Sequence, residues 1–170
     1  MNRRVKTLCT LSMLLCVLII LAQIKIDIGY VPITLQTLGI YMISLIVKPR
    51  YAFYVTFAYI FMGAIGLPVF SGFSGGIGAL VNYNGGYIFS FPLMAYVISL
   101  FGYEKSYVKK FIACLLGTVV CYTIGTAWFM YVMKFGLMTS LTMCVIPFLP
   151  VDGIKIILSI IFSQKIKLPE

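Results

Sequence analysis

Histidine is absent from this 170-residue chain, and only four residues are acidic. Without an imidazole, the chain lacks the side chain that most often acts as a general base, proton shuttle or metal ligand near neutral pH. Charged residues make up 10% of the sequence, against about 25% in soluble domains, whereas 62% of the residues are hydrophobic. A chain of this length cannot bury so much apolar surface in one core, so we exclude a water-soluble globule and expect lipid to be the solvent.

Two further kinds of site find little support in the sequence. The five cysteines are an odd number without a C-x-x-C spacing, which favours a helix-packing role over a disulfide or a metal site. No glycine-rich stretch leads into Lys-Ser or Lys-Thr, as a nucleotide-binding loop requires. We therefore expect no ATPase site, no enzymatic activity and no cofactor in this chain.

Six apolar runs predict six transmembrane helices, since a bilayer needs about 20 residues for each span. The runs cover residues 7–24, 33–47, 51–67, 86–101, 111–133 and 150–162, with an apolar approach segment at 139–149. The first run begins like a secretory signal, but its length and the lack of an A-x-A site favour an uncleaved helix. Since the runs use up almost the whole chain, we expect an all-α integral membrane protein with one domain over residues 1–170.

The basic residues are distributed unevenly between the two sides of these spans. With a cytoplasmic N-terminus, ten of the thirteen lie inside: Arg3, Arg4, Lys6, Lys48, Arg50, Lys105, Lys109, Lys110, Lys165 and Lys167. Lys25 and Lys134 lie outside, and Lys155 falls within the sixth run. This excess follows the positive-inside rule, and it predicts a multi-pass protein of the cell membrane with both termini in the cytoplasm.

Small residues recur every fourth position in the fifth run, at Ala113, Gly117, Cys121 and Gly125. This spacing places them on one stripe of a helix, and small side chains let two helices approach closely in lipid. We expect the stripe to pack against another helix. Ser12 and Cys16 form a weaker pair of the same kind in the first run.

Polar residues concentrate in three segments that all approach the predicted outer side. The first contains Gln36, about one turn after Pro32, and the second is a glycine-rich stretch over residues 66–87 without a single charge. The third places Asp152 and Lys155 at the start of the last helix. The extracellular glycine-rich loop, between the third and fourth helices, is either a lid over a pocket or an irregular plug packed on helix ends.

Asp152 and Lys155 are three residues apart and therefore share one face of a helix. Ionisable groups inside a span are costly, so they are expected to meet a partner, a cavity or a substrate. One interpretation is a mutual ion pair, or Asp152 acting only as a helix cap. The other is a site for a small ligand that has both N–H donors and an anionic end.

Four motifs, in this order, resemble the BioY family, the biotin-binding S components of energy-coupling factor (ECF) vitamin transporters: "VPITLQTLGIYM", "GAIGLPVFSGFSGGIGAL", "GGYIFSFPL" and "PFLPVDGIK". The resemblance covers about residues 8–161. It implies a six-helix protein that captures biotin from the extracellular side with high affinity. Transport would then require a transmembrane coupling protein, the T component, and two cytoplasmic ATPases.

The resemblance also implies a set of residues that bind biotin. Polar partners for the ureido ring are Asp152, Asn84 and Gln36; candidate walls for the apolar parts are Phe70, Tyr87 and Trp128; Gly85 and Gly86 belong to the same site. Lys155 would meet either the biotin carboxylate or Asp152. Family members usually have proline and threonine where this chain has Tyr83 and Asn84. A related S component for another vitamin and a ligand-free scaffold are the alternatives.

Overall fold

The computed structural model describes residues 3–27 and 31–166 and is mostly helical. Its elements are α1 (Arg3–Gln23), β1 (Lys25–Ile26), β2 (Ile33–Thr34), α2 (Gln36–Ile46), α3 (Pro49–Ala64), α4 (Ile77–Val81), α5 (Gly85–Gly102), α6 (Tyr107–Met133), α7 (Leu137–Cys144) and α8 (Leu149–Lys165). Of the basic residues assigned to the inner side, Lys167 and the side chain of Arg3 lie outside the described residues.

Six full spans are not confirmed in the described residues. Three helical segments are long and apolar enough to cross a membrane, namely Arg4–Gln23, Gly85–Gly102 and Tyr107–Met133. The pair α7 and α8, bent by 47° at a short break, raises the number to four if it counts as one span. The apolar character and these helices identify a membrane protein.

The second and third apolar runs form helices shorter than a full span. Residues 33–34 of the second run pair with β1 in an antiparallel hairpin, so α2 keeps only 11 residues. Such a helix is about 16 Å long at about 1.5 Å per residue, roughly half the thickness of the hydrocarbon core. The third helix has 16 residues and ends before Gly66. The φ of Gly66 is 100°, a backbone conformation that glycine adopts readily and that an α-helix does not contain.

The small-residue stripe of α6 packs against α5, which confirms the expectation from its spacing. Each member faces a residue of α5, and the pairs are Ala113 with Gly102, Gly117 with Ile98, Cys121 with Ser90, and Gly125 with Tyr87. A Cβ atom on Gly117 would lie 2.3 Å from the Ile98 side chain, and one on Gly125 would lie 2.2 Å from the Tyr87 ring. The two helices therefore approach as closely as glycine permits.

The basic clusters predicted for the inner side gather at one end of the bundle. There the Ser99 hydroxyl donates to the Val47 carbonyl (2.6 Å), and the Lys110 ammonium donates to the Ser163 hydroxyl (3.0 Å). These contacts bring the ends of α2, α5 and α8 together with the start of α6. The C-terminal end of α1 lies at the opposite end of the bundle, because Gln23 contacts the segment that follows α3.

The segment after α3 is packed on the bundle at two points and contains one short helix, α4, that its glycine content did not predict. The Tyr59 hydroxyl donates to the Val69 carbonyl (3.0 Å), and the Gln23 side chain donates to the same carbonyl and accepts from the Phe73 N–H. Phe70 is buried against Tyr59, whereas Phe73 at the turn is 72% exposed. The segment thus combines a packed base with an exposed tip.

Candidate functional site

A cavity of about 610 Å³ lies at the end of the bundle opposite the basic clusters. Its size falls in the range of small-molecule sites, about 300–1,000 Å³. The walls come from α2, α5, α6, α8 and the segment between α3 and α5. Of the nine residues assigned to the site from the sequence, six line it: Gln36, Phe70, Asn84, Tyr87, Asp152 and Lys155.

Asp152 and Lys155 form an ion pair within the wall of this cavity. Lys155 Nζ donates to Asp152 Oδ1 at 2.8 Å, and each residue is only 4% exposed. Both positions follow from α8, which begins with Pro150 in its first turn and carries Asp152 there, one turn before Lys155. The structure therefore contains the mutual ion pair that one interpretation of the sequence predicted. The pair also borders a cavity, which the other interpretation, a small-ligand site, requires.

Two residues that the sequence reasoning missed complete the polar network around this pair. The Thr37 hydroxyl donates to Asp152 Oδ1 (3.2 Å) and accepts from Lys155 Nζ (2.9 Å). The Tyr122 hydroxyl donates to Asp152 Oδ2 at 2.6 Å. Thr37 directly follows the predicted Gln36, and Tyr122 directly follows Cys121 of the small-residue stripe, but neither type of residue stands out inside an apolar run.

Two buried polar atoms that line the cavity have no hydrogen-bond partner in the described residues. They are Oδ1 of Asn84, at the start of α5, and Oγ of Ser71, in the segment after α3. Buried polar atoms are normally paired, because an unsatisfied group costs about 1–3 kcal/mol. Two such atoms in one cavity are available to pair with water or with a polar ligand.

Gln36 is largely committed to contacts within the protein. Its Nε2 donates to the Tyr59 hydroxyl at 2.6 Å, and its Oε1 accepts from the Thr34 hydroxyl at 3.0 Å. Because Tyr59 in turn donates to the Val69 carbonyl, these bonds connect the start of α2 with the segment after α3. Gln36 therefore supports the cavity wall, and one amide hydrogen remains for a ligand.

The two aromatic residues of the predicted site that line the cavity are held from behind by close packing. Tyr87 lies on Gly125, and its hydroxyl is 3.3 Å from the Thr126 hydroxyl. The Phe70 ring lies edge-on to Tyr59 at 5.4 Å between centroids and covers Gly63, where a Cβ atom would be 2.0 Å from the ring. Both rings are thereby fixed as apolar surfaces of the site.

The structure does not bring Trp128, Gly85 or Gly86 to the cavity wall. Trp128 packs over Gly86, and its indole N–H donates to the Asn82 carbonyl at 2.9 Å. Gly85 lies so close to the Leu80 carbonyl that a Cβ atom would be 1.7 Å from the oxygen. These three residues instead fix the junction between α4, α5 and α6, because only glycine permits both approaches.

A second pair of charged residues borders the cavity nearer to solvent. Lys25 Nζ lies 3.1 Å from Asp27 Oδ2, and the two side chains are 36% and 64% exposed. Both residues line the cavity, as does Ser71. In the described part of the chain no group of three or more cysteine and acidic residues could hold a metal ion.

Comparisons with known proteins agree on one family. A sequence model of the BioY family matches residues 1–168. A probable biotin transporter BioY from Pyrococcus horikoshii is 34% identical over 146 residues, which cover 86% of each chain. Biotin transporter BioY2 from Lactococcus lactis is 31% identical over 95% of this chain and 90% of its own.

A solved structure gives the same result for the fold. The crystal structure of the S-component for biotin from an ECF-type ABC transporter superposes with a TM-score of 0.90 at 29% identity. The match covers 97% of this chain and 93% of that one. Since the matched relatives are named as transporters and the matched structure is a transporter component, the expectation of a transporter subunit without enzymatic activity is confirmed.

Proposed function

This chain belongs to the BioY family, and from that premise we propose that it captures biotin at the extracellular side and delivers it across the membrane. In this proposal residues 1–170 form one substrate-binding domain, the S component of an ECF-type, ATP-driven transporter. The observation that carries it is that Asp152, Lys155 and the unpartnered oxygen of Asn84 border a single cavity. The biotin S-component that matches in fold supports the same assignment.

Asp152 and Lys155 form the buried end of the cavity, here called its floor. The unused hydrogen-bonding capacity of the floor and of Asn84 complements a cyclic urea. A carboxylate offers about four acceptor positions, and Asp152 fills three of them with Thr37, Lys155 and Tyr122. An ammonium has three N–H donors, and Lys155 uses two. What remains is one acceptor on Asp152, one donor on Lys155 and the acceptor of Asn84. The ureido ring of biotin presents two N–H donors and one carbonyl acceptor, so its donors and acceptors match these three groups in number and kind.

The apolar parts of biotin fit the remaining walls of the cavity. Phe70, Tyr87, Ile88, Phe91 and Phe148 line it and present apolar surface. Burial of the thiolane ring and the aliphatic tail against them contributes about 25 cal/mol per Å² of apolar area. The polar floor sets the orientation and these walls supply most of the area, as is usual in small-molecule sites.

The distribution of basic residues supports a location in the cell membrane with both termini in the cytoplasm. Lys48, Arg50 and Lys110 belong to the basic end of the bundle, and the cavity lies at the other end. By the positive-inside rule the basic end is cytoplasmic, so the cavity opens outward. This orientation is the one that capture of an extracellular vitamin needs.

Energy for uphill transport must come from partners, because the sequence has no nucleotide-binding loop. The partners proposed here are a T component and two cytoplasmic ATPases. Ser12 and Cys16 are small residues exposed on the outer face of α1, and they offer a close-packing surface for a coupling helix. Coexpression should therefore yield a copurifying complex. Concentrative biotin uptake by this chain alone, in a host that lacks every such partner, would contradict this assignment.

Equilibrium binding of radiolabelled biotin to the purified protein tests the central claim. We expect saturable binding at one site per chain, competed by unlabelled biotin. A thermal-shift series with other vitamins distinguishes biotin capture from the function of a related S component for another vitamin. In that case a vitamin other than biotin would give the largest stabilisation. No saturable binding of any vitamin would support a ligand-free scaffold and overturn the proposal.

A further inference from the structure

Two side chains that the sequence did not assign to a site, Lys25 and Ser71, line the mouth of the cavity. We propose that Lys25 and Ser71 bind the carboxylate of the substrate, so that the ligand stands with its ureido ring on the floor and its acid at the mouth. This inference rests on the proposed function and assigns the one group of biotin that the floor leaves without a partner.

The floor of the cavity is unsuited to a carboxylate. Asp152 and Lys155 are both 4% exposed and lie 2.8 Å apart, so together they carry no net charge. A second carboxylate beside them would repel Asp152 in a site where water screens the charges little. The remaining single donor of Lys155 also serves the ureido carbonyl better, since that bond adds no charge to the floor.

The mouth supplies a cation, and the residue before Gly72 supplies a hydroxyl without a partner in the described residues. Lys25 lies against Gly72, where a Cβ atom would be 2.9 Å from Cε and 3.0 Å from Nζ of the lysine. The neighbouring Ser71 has a buried hydroxyl oxygen without a partner in the described residues, and both side chains line the cavity. A carboxylate placed there accepts one hydrogen bond from the ammonium and one from the hydroxyl, which satisfies the orphaned group.

The backbone at this place is held in position by α1. The Gln23 amide donates to the carbonyl of Val69 (3.3 Å), and its oxygen accepts from the N–H of Phe73 (2.8 Å). These two bonds lie on either side of Ser71 along the chain, and Gln23 is two residues before Lys25. The backbone that carries Ser71 is therefore held close to the end of α1 before a ligand arrives, which lowers the ordering cost of binding.

Asp27 occupies the position of the counter-ion in the ligand-free protein. Its carboxylate is 3.1 Å from Lys25 Nζ and 64% exposed. Ion pairs so open to solvent are weak. The substrate carboxylate can therefore displace Asp27 from Lys25 and gain the additional hydrogen bond of Ser71, while Asp27 returns to water.

The test compares biotin with biotinamide, which has the same ring and tail but no charge at the end. In the unaltered protein we expect biotin to bind about tenfold more tightly than biotinamide, as a charge-assisted hydrogen bond implies. The preference should shrink as salt is raised, because the mouth is open to solvent. Equal binding of the two ligands overturns the carboxylate site even if no variant can be purified.

Three variants locate the preference on Lys25. Lys25→Met should weaken biotin about tenfold and biotinamide less than about twofold, whereas Lys25→Arg should keep the preference. Asp27→Asn should tighten biotin binding, since it removes the competing carboxylate. Lys134→Met is the matched control, because Lys134 is exposed, is predicted to lie on the same side and does not line the cavity.

The outcomes separate this inference from the proposed function. Selective loss of biotin affinity in Lys25→Met, with biotinamide and Lys134→Met unchanged, supports the site at the mouth. An equal loss for both ligands means that Lys25 only holds the hairpin, and no loss means that the carboxylate lies elsewhere; either result overturns the inference and leaves biotin capture intact. Failure of the unaltered protein to bind biotin overturns the proposed function itself.

Discussion

Tyr122 donates a 2.6 Å hydrogen bond from its phenol to Oδ2 of Asp152 and so ties α6 to the acid of α8. On its other side the same carboxylate accepts from Thr37 of α2 and from Lys155. Three helices therefore fix one side chain that lies in the cavity wall. The orientation of the acceptor left on Asp152 depends on all of them, because a carboxylate held at both oxygens cannot rotate.

Tyr122→Phe should weaken biotin binding about fivefold to tenfold. The Asp152 carboxylate loses one of its three hydrogen-bond partners, so its remaining acceptor is no longer held in one orientation. Equilibrium binding to the purified variant measures the effect. Tyr41→Phe is the matched control, because that buried phenol bonds to Thr118 at 2.6 Å and is not in the cavity wall. Similar affinity losses in both variants would mean that helix packing, and not the orientation of the Asp152 carboxylate, is responsible.

Substitutions at Asp152 and Lys155 distinguish a structural pair from a ligand site. Lys155→Met leaves a buried carboxylate without its cation, and breaking such a pair costs about 3–5 kcal/mol. The double variant Asp152→Leu with Lys155→Met removes both charges and should recover most of that stability. Biotin binding should be lost in both proteins, by at least about tenfold. Thermal unfolding and equilibrium binding follow the two effects separately; a double variant that still binds biotin normally would show that the pair serves only the fold.

The role of Asn84 can be tested with two substitutions whose side chains have the same shape. Family resemblance places threonine at this position, and Asn84→Thr and Asn84→Val differ only in a hydroxyl against a methyl group. Because Asn84 Oδ1 has no partner within the described protein, neither change should lower the melting temperature of the ligand-free form by much. Asn84→Val should bind biotin about tenfold more weakly than Asn84→Thr, since a ureido N–H is left unpaired. Equal affinities of the two variants would remove Asn84 from the site.

Much of the architecture around the site could be predicted from local spacing. The stripe from Ala113 to Gly125 packs against another helix as expected, because a period of four marks one helix face without knowledge of the partner; the partner, α5, is given only by the structure. Asp152 and Lys155 were also identifiable as an ion pair or a ligand site, because ionisable groups inside an apolar run are expected to meet a partner, a cavity or a substrate. The structure shows the pair and a cavity beside it. Lys25 was assigned only to a side of the membrane, since its approach to Gly72 depends on how the chain folds.

The remainder depends on contacts between distant parts of the chain. Thr37 and Tyr122 reach Asp152 across separations of more than a hundred and of thirty residues, and nothing in their own neighbourhoods marks them as polar partners. Trp128 was expected as an apolar wall of the biotin site, whereas it packs over Gly86 and its N–H donates to the Asn82 carbonyl. The second helix was expected over residues 33–47, but the hairpin of β1 and β2 takes residues 33–34, which hydropathy alone assigns to the helix.

The close approach of α5 and α6 gives a last prediction, in which packing and binding can be separated along one stripe. Gly125→Ala places a methyl group about where the Tyr87 ring lies, and Gly117→Ala places one against Ile98. Each overpacked methyl should cost about 1–3 kcal/mol of stability, seen as a lower melting temperature. Only Gly125→Ala should also weaken biotin binding, because Tyr87 lines the cavity and Ile98 does not. Gly153→Ala is the control for a methyl group added to a helix, since nothing lies within 4 Å of its Cβ position. If Gly117→Ala reduces affinity as much as Gly125→Ala, Tyr87 is not the link between the helix contact and the ligand.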